Sequence, residues 1–220
     1  MSYGEPIALR QMELEQAATS AAAQSTEQRS RAEFAFIEKL KRGDAAAFEQ
    51  LVADRSGEIY GLLFRLTESA EEARDLTQET FLRAFQSIGR FRGEADLRTW
   101  IYRIAINQAR NRWRWWRRRR RDVTVSLDES NGDANHTLLD CLVERGTDPE
   151  QQTLAHEREI VLRAALKKVG RVYREAIILR DIEGFSYEEI AITLDVNVGT
   201  VKSRIARGRQ ELRERLEGSL

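Results

Sequence analysis

Two stretches of this chain carry side chains that could do chemistry, and in both the chemistry is recognition of a polyanion. Between Leu97 and Arg121 run Arg98, Arg103, Arg110, Arg112, Arg114 and Arg117 to Arg121, with no carboxylate among them. Trp100, Trp113, Trp115 and Trp116 are interleaved with those arginines. Guanidinium groups meet phosphates and flat indoles stack on unpaired bases, a combination that suits single-stranded nucleic acid. The bland alternative is a solvated basic helix whose tryptophans only pack. Between Ser186 and Arg209, SYEEIAITLDVNVGTVKSRIARGR reads as two helices and a turn. Thr200, Lys202, Ser203, Arg204 and Arg207 offer donors for phosphates and base edges. The pattern is a helix-turn-helix, whose second helix enters the major groove. An αα-hairpin that binds nothing has the same outline.

The elements that position these residues follow from capping and periodicity. Ser186 with Glu189 forms a capping box ahead of Ile190, Ala191 and Leu194. Asp195 to Gly199 breaks the pattern, Thr200 is expected to cap the second helix, and Val201, Ile205 and Leu212 form its inner face. Upstream, Leu154, Ile160, Val161, Ala164 and Leu166 predict one helix; Tyr173, Ala176, Ile177 and Leu179 predict another. The basic helix is expected to begin near Ala95, with Leu97, Ile101, Ile104 and Gln108 inward. Arg103, Asn107, Arg110 and Arg114 share a narrow arc on another face, with Trp100 at its edge. Before it, a helix from about Glu71 to Ile88 turns Thr77, Phe81, Ala84 and Ile88 to the core. Asp75, Gln78, Glu79 and Leu82 share a different face, either solvated or a docking strip. Phe34, Ile37 and Leu40, then Phe48, Leu51, Ile59, Leu62, Leu63 and Leu66, recur at helical steps. Gly43-Asp44 and Thr67 to Ala70 mark the breaks.

Composition limits the rest. Lysine plus arginine and aspartate plus glutamate are both 36, so the zero net charge hides an uneven distribution. Only two prolines occur, and helix formers abound, which predicts an all-α chain. The residues divide into an extension over 1–31, expected to be flexible, a helical domain over 32–121, a connector over 122–150, and a second helical domain over 151–217. The connector holds eight carboxylates against Arg145, so an extended acidic linker is expected. One cysteine, Cys141, excludes an intramolecular disulfide and fits a reducing compartment. The sequence shows neither a membrane-spanning apolar run nor a secretory signal, so no membrane insertion and a cytoplasmic location are expected. His136, Cys141 and His156 match no zinc spacing. No catalytic residues, cofactor or metal are assigned. A phosphate-binding glycine loop is absent, and Glu71, Glu72 and Asp75 lack the second acidic cluster of a metal-dependent nuclease. A regulator that binds only duplex DNA would need neither the acidic strip nor the tryptophan-arginine helix.

Three segments in this order resemble the extracytoplasmic-function (group IV) sigma factors of the sigma-70 family. Asp75-Leu76-Thr77-Gln78-Glu79-Thr80-Phe81-Leu82-Arg83-Ala84-Phe85 is similar to region 2.2. Phe91-Arg92-Gly93-Glu94 and Thr99 to Asn107 are similar to regions 2.3 and 2.4. Arg174-Glu175-Ala176, Gly184 to Ala191 and Val198 to Arg204 are similar to region 4. The resemblance covers about residues 32 to 217. It implies that Asp75, Gln78, Glu79 and Leu82 dock on the clamp helices of core RNA polymerase. It implies that Trp100, Arg103, Asn107, Arg110 and Arg114 open and read the minus-ten element as single strand, with Asn107 helping to hold a flipped base. Thr200, Lys202, Ser203, Arg204 and Arg207 would contact the minus-thirty-five element as duplex. The acidic linker would thread through the polymerase, and an anti-sigma factor would be expected to clamp both domains. Departures are Val169-Gly170 where relatives often carry Leu-Pro, Asp195 and Asn197 within the turn, and the heavy run Arg117 to Arg121.

Overall fold

The computed structural model describes residues 31–122 and 161–217, and all regular structure among them is helical. Helix α1 spans 31–41, and Gly43 (φ +77°) turns the chain out of it. Asp44 caps α2, Ala45–Thr67, its carboxylate accepting from the Ala47 amide at 3.1 Å. Glu68 ends α2 in the left-handed conformation, and Ser69 caps α3, Ala70–Ser87. Glu71 and Glu72 sit in the first turn of α3, where carboxylates complement the helix dipole. A 3₁₀ turn, Ile88–Arg90, and Gly93 (φ +76°) lead to α4, Leu97–Asp122. Asp96 accepts from the Thr99 amide at 2.6 Å, so α4 starts two residues later than its sequence suggests.

The carboxy-terminal group begins with α5, residues 161–168, then α6, Arg171–Ile177. The chain runs on into a π-helical turn, Ile178–Ile182, closed by the Glu183 amide on the Ile178 carbonyl at 2.9 Å. Such widened turns re-aim side chains, and here the one affected is Glu183. Gly184 (φ +73°) leads to Ser186, whose capping box with Glu189 is formed in both directions at 3.1 and 2.6 Å. Helix α7 is Tyr187–Leu194 and α8 is Val198–Glu217. The cap of α8 is Asn197, whose Oδ1 accepts from the Thr200 amide at 2.7 Å, and not Thr200. The Asn197 cap lies three residues before the expected one and satisfies the Thr200 amide, so the helix gains three residues, 198–200.

Some predicted inner faces are rotated. On α3, Ala73, Leu76, Thr80, Phe81 and Ala84 are buried, while Thr77 is half-buried. On α4, Tyr102, Ala105 and Ile106 join Leu97, Ile101 and Gln108 in the interior, and Ile104 is only half-buried. The α4 core is wider than one helical face because a second body packs on it. Ala165 and Leu166 of α5 and Val169 just after it point inward, whereas Val161 and Ala164 are exposed. Phe34 is also exposed. The expected positions Leu154 and Ile160, the histidines and cysteine, and the extension and linker lie outside the described residues.

The two helical groups share one apolar cluster. It runs from Leu40 and Leu51 through Tyr102 and Ile106 to Phe185, Ile190 and Ile205. Helix α4 packs on α2 and α3 with one side and on α7 with another. Within the second group, α6 and α8 approach at Gly208, where an added Cβ would stand 2.6 Å from Cδ1 of Ile177. No helix among the described residues is long and apolar enough to cross a membrane.

Candidate nucleic-acid interface

Helix α3 presents the predicted acidic strip outward. Asp75, Gln78 and Leu82 are exposed, and Glu79 is half-exposed and bound to Arg83 at 3.0 Å. Leu82 is 56 % exposed and Phe85 47 %, with Phe85 set edge-on to Phe48. Two large apolar side chains beside carboxylates form a surface that a basic, partly apolar partner would cover.

Helix α4 turns Arg103, Asn107 and Arg114 to solvent. Trp100 is half-buried and held against Phe91, ring centroids 5.3 Å apart. A flat ring fixed in this way can serve as a stacking platform. Farther along, Trp113, Trp115 and Trp116 are each more than 40 % exposed. Arg117 lies over the Trp113 ring at 5.3 Å and Arg119 over Trp115 at 4.7 Å. The Trp116 indole donates to Glu72 at 2.7 Å, and Arg114 donates to Asn111. Aromatic and cationic groups thus continue past the predicted strand-contact residues.

Helix α8 is carried on Val201 and Ile205, both buried beneath it. Lys202, Ser203 and Arg207 are exposed, while Thr200 and Arg204 are half-buried. Arg204 and Arg207 meet no carboxylate among the described residues. Arg209 behaves differently: Nε donates to Asp181 at 3.0 Å, and that hydrogen bond raises its pKa above the ordinary guanidinium value.

One predicted contact is not free. The Arg110 guanidinium donates to the Glu175 carboxylate, closest at 2.6 Å, and to the Leu194 carbonyl at 3.3 Å. Arg103 lies 3.9 Å from Asp195. Alongside, Glu183 accepts from the Tyr102 hydroxyl at 2.6 Å and from Arg65 at 3.1 Å. Burial first, then the bond to Glu183, push the Tyr102 hydroxyl far above the ordinary tyrosine range.

Residues 51–121 match the family described as Sigma-70 region 2, and residues 159–212 match Sigma-70, region 4. The chain is 37 % identical over 182 residues to RNA polymerase sigma-H factor of Pseudomonas aeruginosa, covering 82 % of this chain and 92 % of the relative. It is 36 % identical over 184 residues to ECF RNA polymerase sigma-E factor of Haemophilus influenzae, covering 83 % and 94 %. The chain belongs to the extracytoplasmic-function sigma factors of the sigma-70 family. The sigma factor RpoE of Bartonella quintana, solved in complex with the anti-sigma factor NepR, superposes with a TM-score of 0.61 at 28 % identity, over 77 % of this chain and 96 % of that one.

This sigma factor therefore initiates transcription by promoter recognition with RNA polymerase and is not an enzyme. Its α2–α4 group is the region 2 domain and its α6–α8 group the region 4 domain. Of the predicted site residues, those on α8 lie together on one outward surface, those on α3 on another. The α4 set is divided: Arg103, Asn107 and Arg114 are exposed, and Arg110 is drawn into the seam between the domains. Sequence reasoning missed Glu175 and Glu183. Glu175 sits among Tyr173, Ala176 and Ile177, so a carboxylate on an inward face was the available signal. Glu183 gave none, because its placement depends on the π-helical turn.

Proposed function

We propose that this sigma factor docks on the clamp helices of core polymerase through Asp75, Gln78, Glu79 and Leu82. Trp100, Arg103, Asn107, Arg110 and Arg114 then capture the separated minus-ten strand. Thr200, Lys202, Ser203, Arg204 and Arg207 read the minus-thirty-five element as duplex. Strand separation is driven by binding energy, as unpaired bases stack on Trp100 and one is held out of the stack beside Asn107. The domains run over 32–121 and 151–217, and 122–150 serves as an extended acidic connector inside the polymerase. The protein works in the cytoplasm, and an anti-sigma factor, like the one bound to the Bartonella relative, holds it inactive.

The observation that carries the docking assignment is the face of α3, where exposed Leu82 and Phe85 adjoin a carboxylate strip. Replacing Gln78 and Glu79 together by Lys places like charge against a basic partner, which costs several kcal/mol across an interface. Binding to purified core polymerase is expected to weaken by about tenfold or more, ~1.4 kcal/mol or more. Unchanged affinity, measured by fluorescence anisotropy of labelled protein, would refute the assignment.

A further inference from the structure

The geometry points to a binding site for a free nucleoside monophosphate in the cleft between α3 and the distal half of α4, with the phosphate on Gln108 and Arg112 and the base on Trp115.

The cleft holds about 370 Å³, at the lower end of the roughly 300–1,000 Å³ usual for small-molecule sites. Its α4 wall is one stripe of the helix. Gln108, Asn111, Trp115 and Arg118 recur at three- and four-residue steps, with Arg112 beside them. Glu79 and Arg83 stand opposite, on α3. Three guanidinium groups thus face one carboxylate, and that carboxylate is already engaged. Nη2 and Nε of Arg83 donate to Glu79 at 3.0 and 3.2 Å. Arg112 and Arg118 meet no carboxylate among the described residues. The excess of positive charge selects an anion.

Gln108 narrows the kind of anion. It is 4 % exposed, and its Nε2 has no hydrogen-bond partner among the described residues. A buried amide nitrogen in that condition has given up water without gaining an acceptor, which folded proteins rarely allow. For packing alone, a leucine would fill the position at no such cost. The nitrogen can only donate, so the group that suits it is an acceptor such as a phosphate oxygen. Arg112, half-buried one turn along, adds the charge. The Oδ1 of Asn111 is taken by Arg114, which leaves its amide nitrogen to donate as well.

Trp115 supplies the other half of the ligand. Its side chain is 41 % exposed, with the Trp116 ring edge-on at 4.8 Å and Arg119 lying 4.7 Å over it. An indole braced by a second ring and a cation loses little freedom when a base stacks on it. Trp115 stands one and nearly two turns beyond Arg112 and Gln108, about 10.5 Å along the axis from the latter at about 1.5 Å per residue. A nucleoside monophosphate bridges that separation, whereas inorganic phosphate reaches one end only. Glu79 also belongs to the α3 strip, so a bound nucleotide would border the proposed polymerase contact. The binding test uses the protein without polymerase and does not depend on that contact.

The full-length chain is titrated with AMP and with GMP by isothermal calorimetry, beside inorganic phosphate and adenosine, at about 0.15 M salt to screen exposed charge. At least one nucleotide is expected to bind roughly tenfold tighter than phosphate or adenosine. Gln108→Leu and Trp115→Ala are each expected to weaken that nucleotide by roughly tenfold, a change calorimetry resolves. Arg117→Ala, outside the cleft, is expected to leave it unchanged. Gln108→Leu should also hold or raise the thermal midpoint, because it removes an unpartnered donor; an amide kept for structure would lower it. Failure of both nucleotides to bind overturns the site, and so does unchanged affinity in Gln108→Leu. Inorganic phosphate binding as tightly as the nucleotides removes the stacked base. An equal loss in Arg117→Ala transfers the binding to the charge of the arginine run and ends the cleft assignment. If a single-stranded minus-ten oligonucleotide displaces the nucleotide at matching affinity, the cleft belongs to the strand path and is no site for a free nucleotide. Should Gln108→Leu lower the midpoint, Trp115→Ala on the exposed lip takes its place, and full nucleotide affinity there is fatal.

Discussion

Helices α4 and α8 both bear rows of basic side chains on a well-packed underside, but they meet their surroundings differently. On α8 the row Lys202, Ser203, Arg204 and Arg207 faces outward, and its helix is seated by Val201 and Ile205 within its own domain. On α4 the underside is shared. Tyr102, Ala105 and Ile106 are buried because region 4 packs there, and Arg110 is bound by Glu175. A duplex reader can be complete in itself, since the major groove offers its edges without rearrangement. A strand reader faces a target that exists only after melting, so a free, fully charged surface would also attract any duplex by counterion release. On the proposed assignment, the pairing of Arg110 with Glu175 would limit such binding, and the comparison would separate a preformed site from a partly occupied one.

The largest effect should come from removing the seat of the preformed site. Ile205 is 2 % exposed beneath α8. Truncating it to Ala is expected to cost about 2–5 kcal/mol of stability, because the pocket between α6, α7 and α8 has little room to collapse. Thermal unfolding should shift down, and binding to minus-thirty-five duplex should fall with it. If the duplex affinity survives while the melting temperature drops, α8 does not depend on its domain for placement, and the contrast drawn with α4 is lost.

A smaller pair of effects separates the two modes of reading. Arg204→Ala is expected to weaken duplex binding by about 1–3 kcal/mol if its guanidinium makes a good base contact. Asn107→Ala, on the exposed arc of α4, is expected to leave closed-complex binding nearly intact and to reduce open-complex formation. Permanganate footprinting of unpaired thymines, alongside filter binding, distinguishes the two. Equal losses in both assays for Asn107→Ala would mean that its amide reads duplex as Arg204 does.

Much of this was visible in the residues alone. The Ser186–Glu189 capping box stands where the side-chain types place it, and the breaks read at Gly43-Asp44 and Thr67 to Ala70 are where Asp44 and Ser69 cap α2 and α3. The outward faces of α3 and α8 followed from helical spacing, because each packs against its own domain on one side only. The inner face of α4 was misjudged for the opposite reason. Periodicity assumes a single buried side, and α4 has two, so Tyr102 and Ile106 escaped notice. Asn197 displaced Thr200 as the cap because its side chain accepts from the Thr200 amide and so starts the helix one turn earlier. Glu175 was marked only as a carboxylate on an inward face and Glu183 not at all, and their partners were out of reach, since contacts over 65 and 118 residues of chain leave no local pattern.

The smallest expected effect tests the seam where that information was lacking. Tyr102 is fully buried and donates to Glu183, and its ionisation is pushed above the ordinary tyrosine range by burial and by that bond. The folded state therefore favours the neutral hydroxyl. By linkage, its stabilisation is complete below the unfolded value near pH 10 and is lost as pH rises through the higher folded value. At neutral pH, Tyr102→Phe removes one hydrogen bond and should cost only about 1 kcal/mol, with Glu183 still paired to Arg65. The decisive reading is alkaline. Tyrosinate absorbance of the wild type, with five tyrosines, should contain a late-ionising component that Tyr102→Phe lacks. If the two titrations differ only by the loss of an ordinarily ionising tyrosine, then Tyr102 is solvated in solution, the seam is open, and α4 is as free as α8.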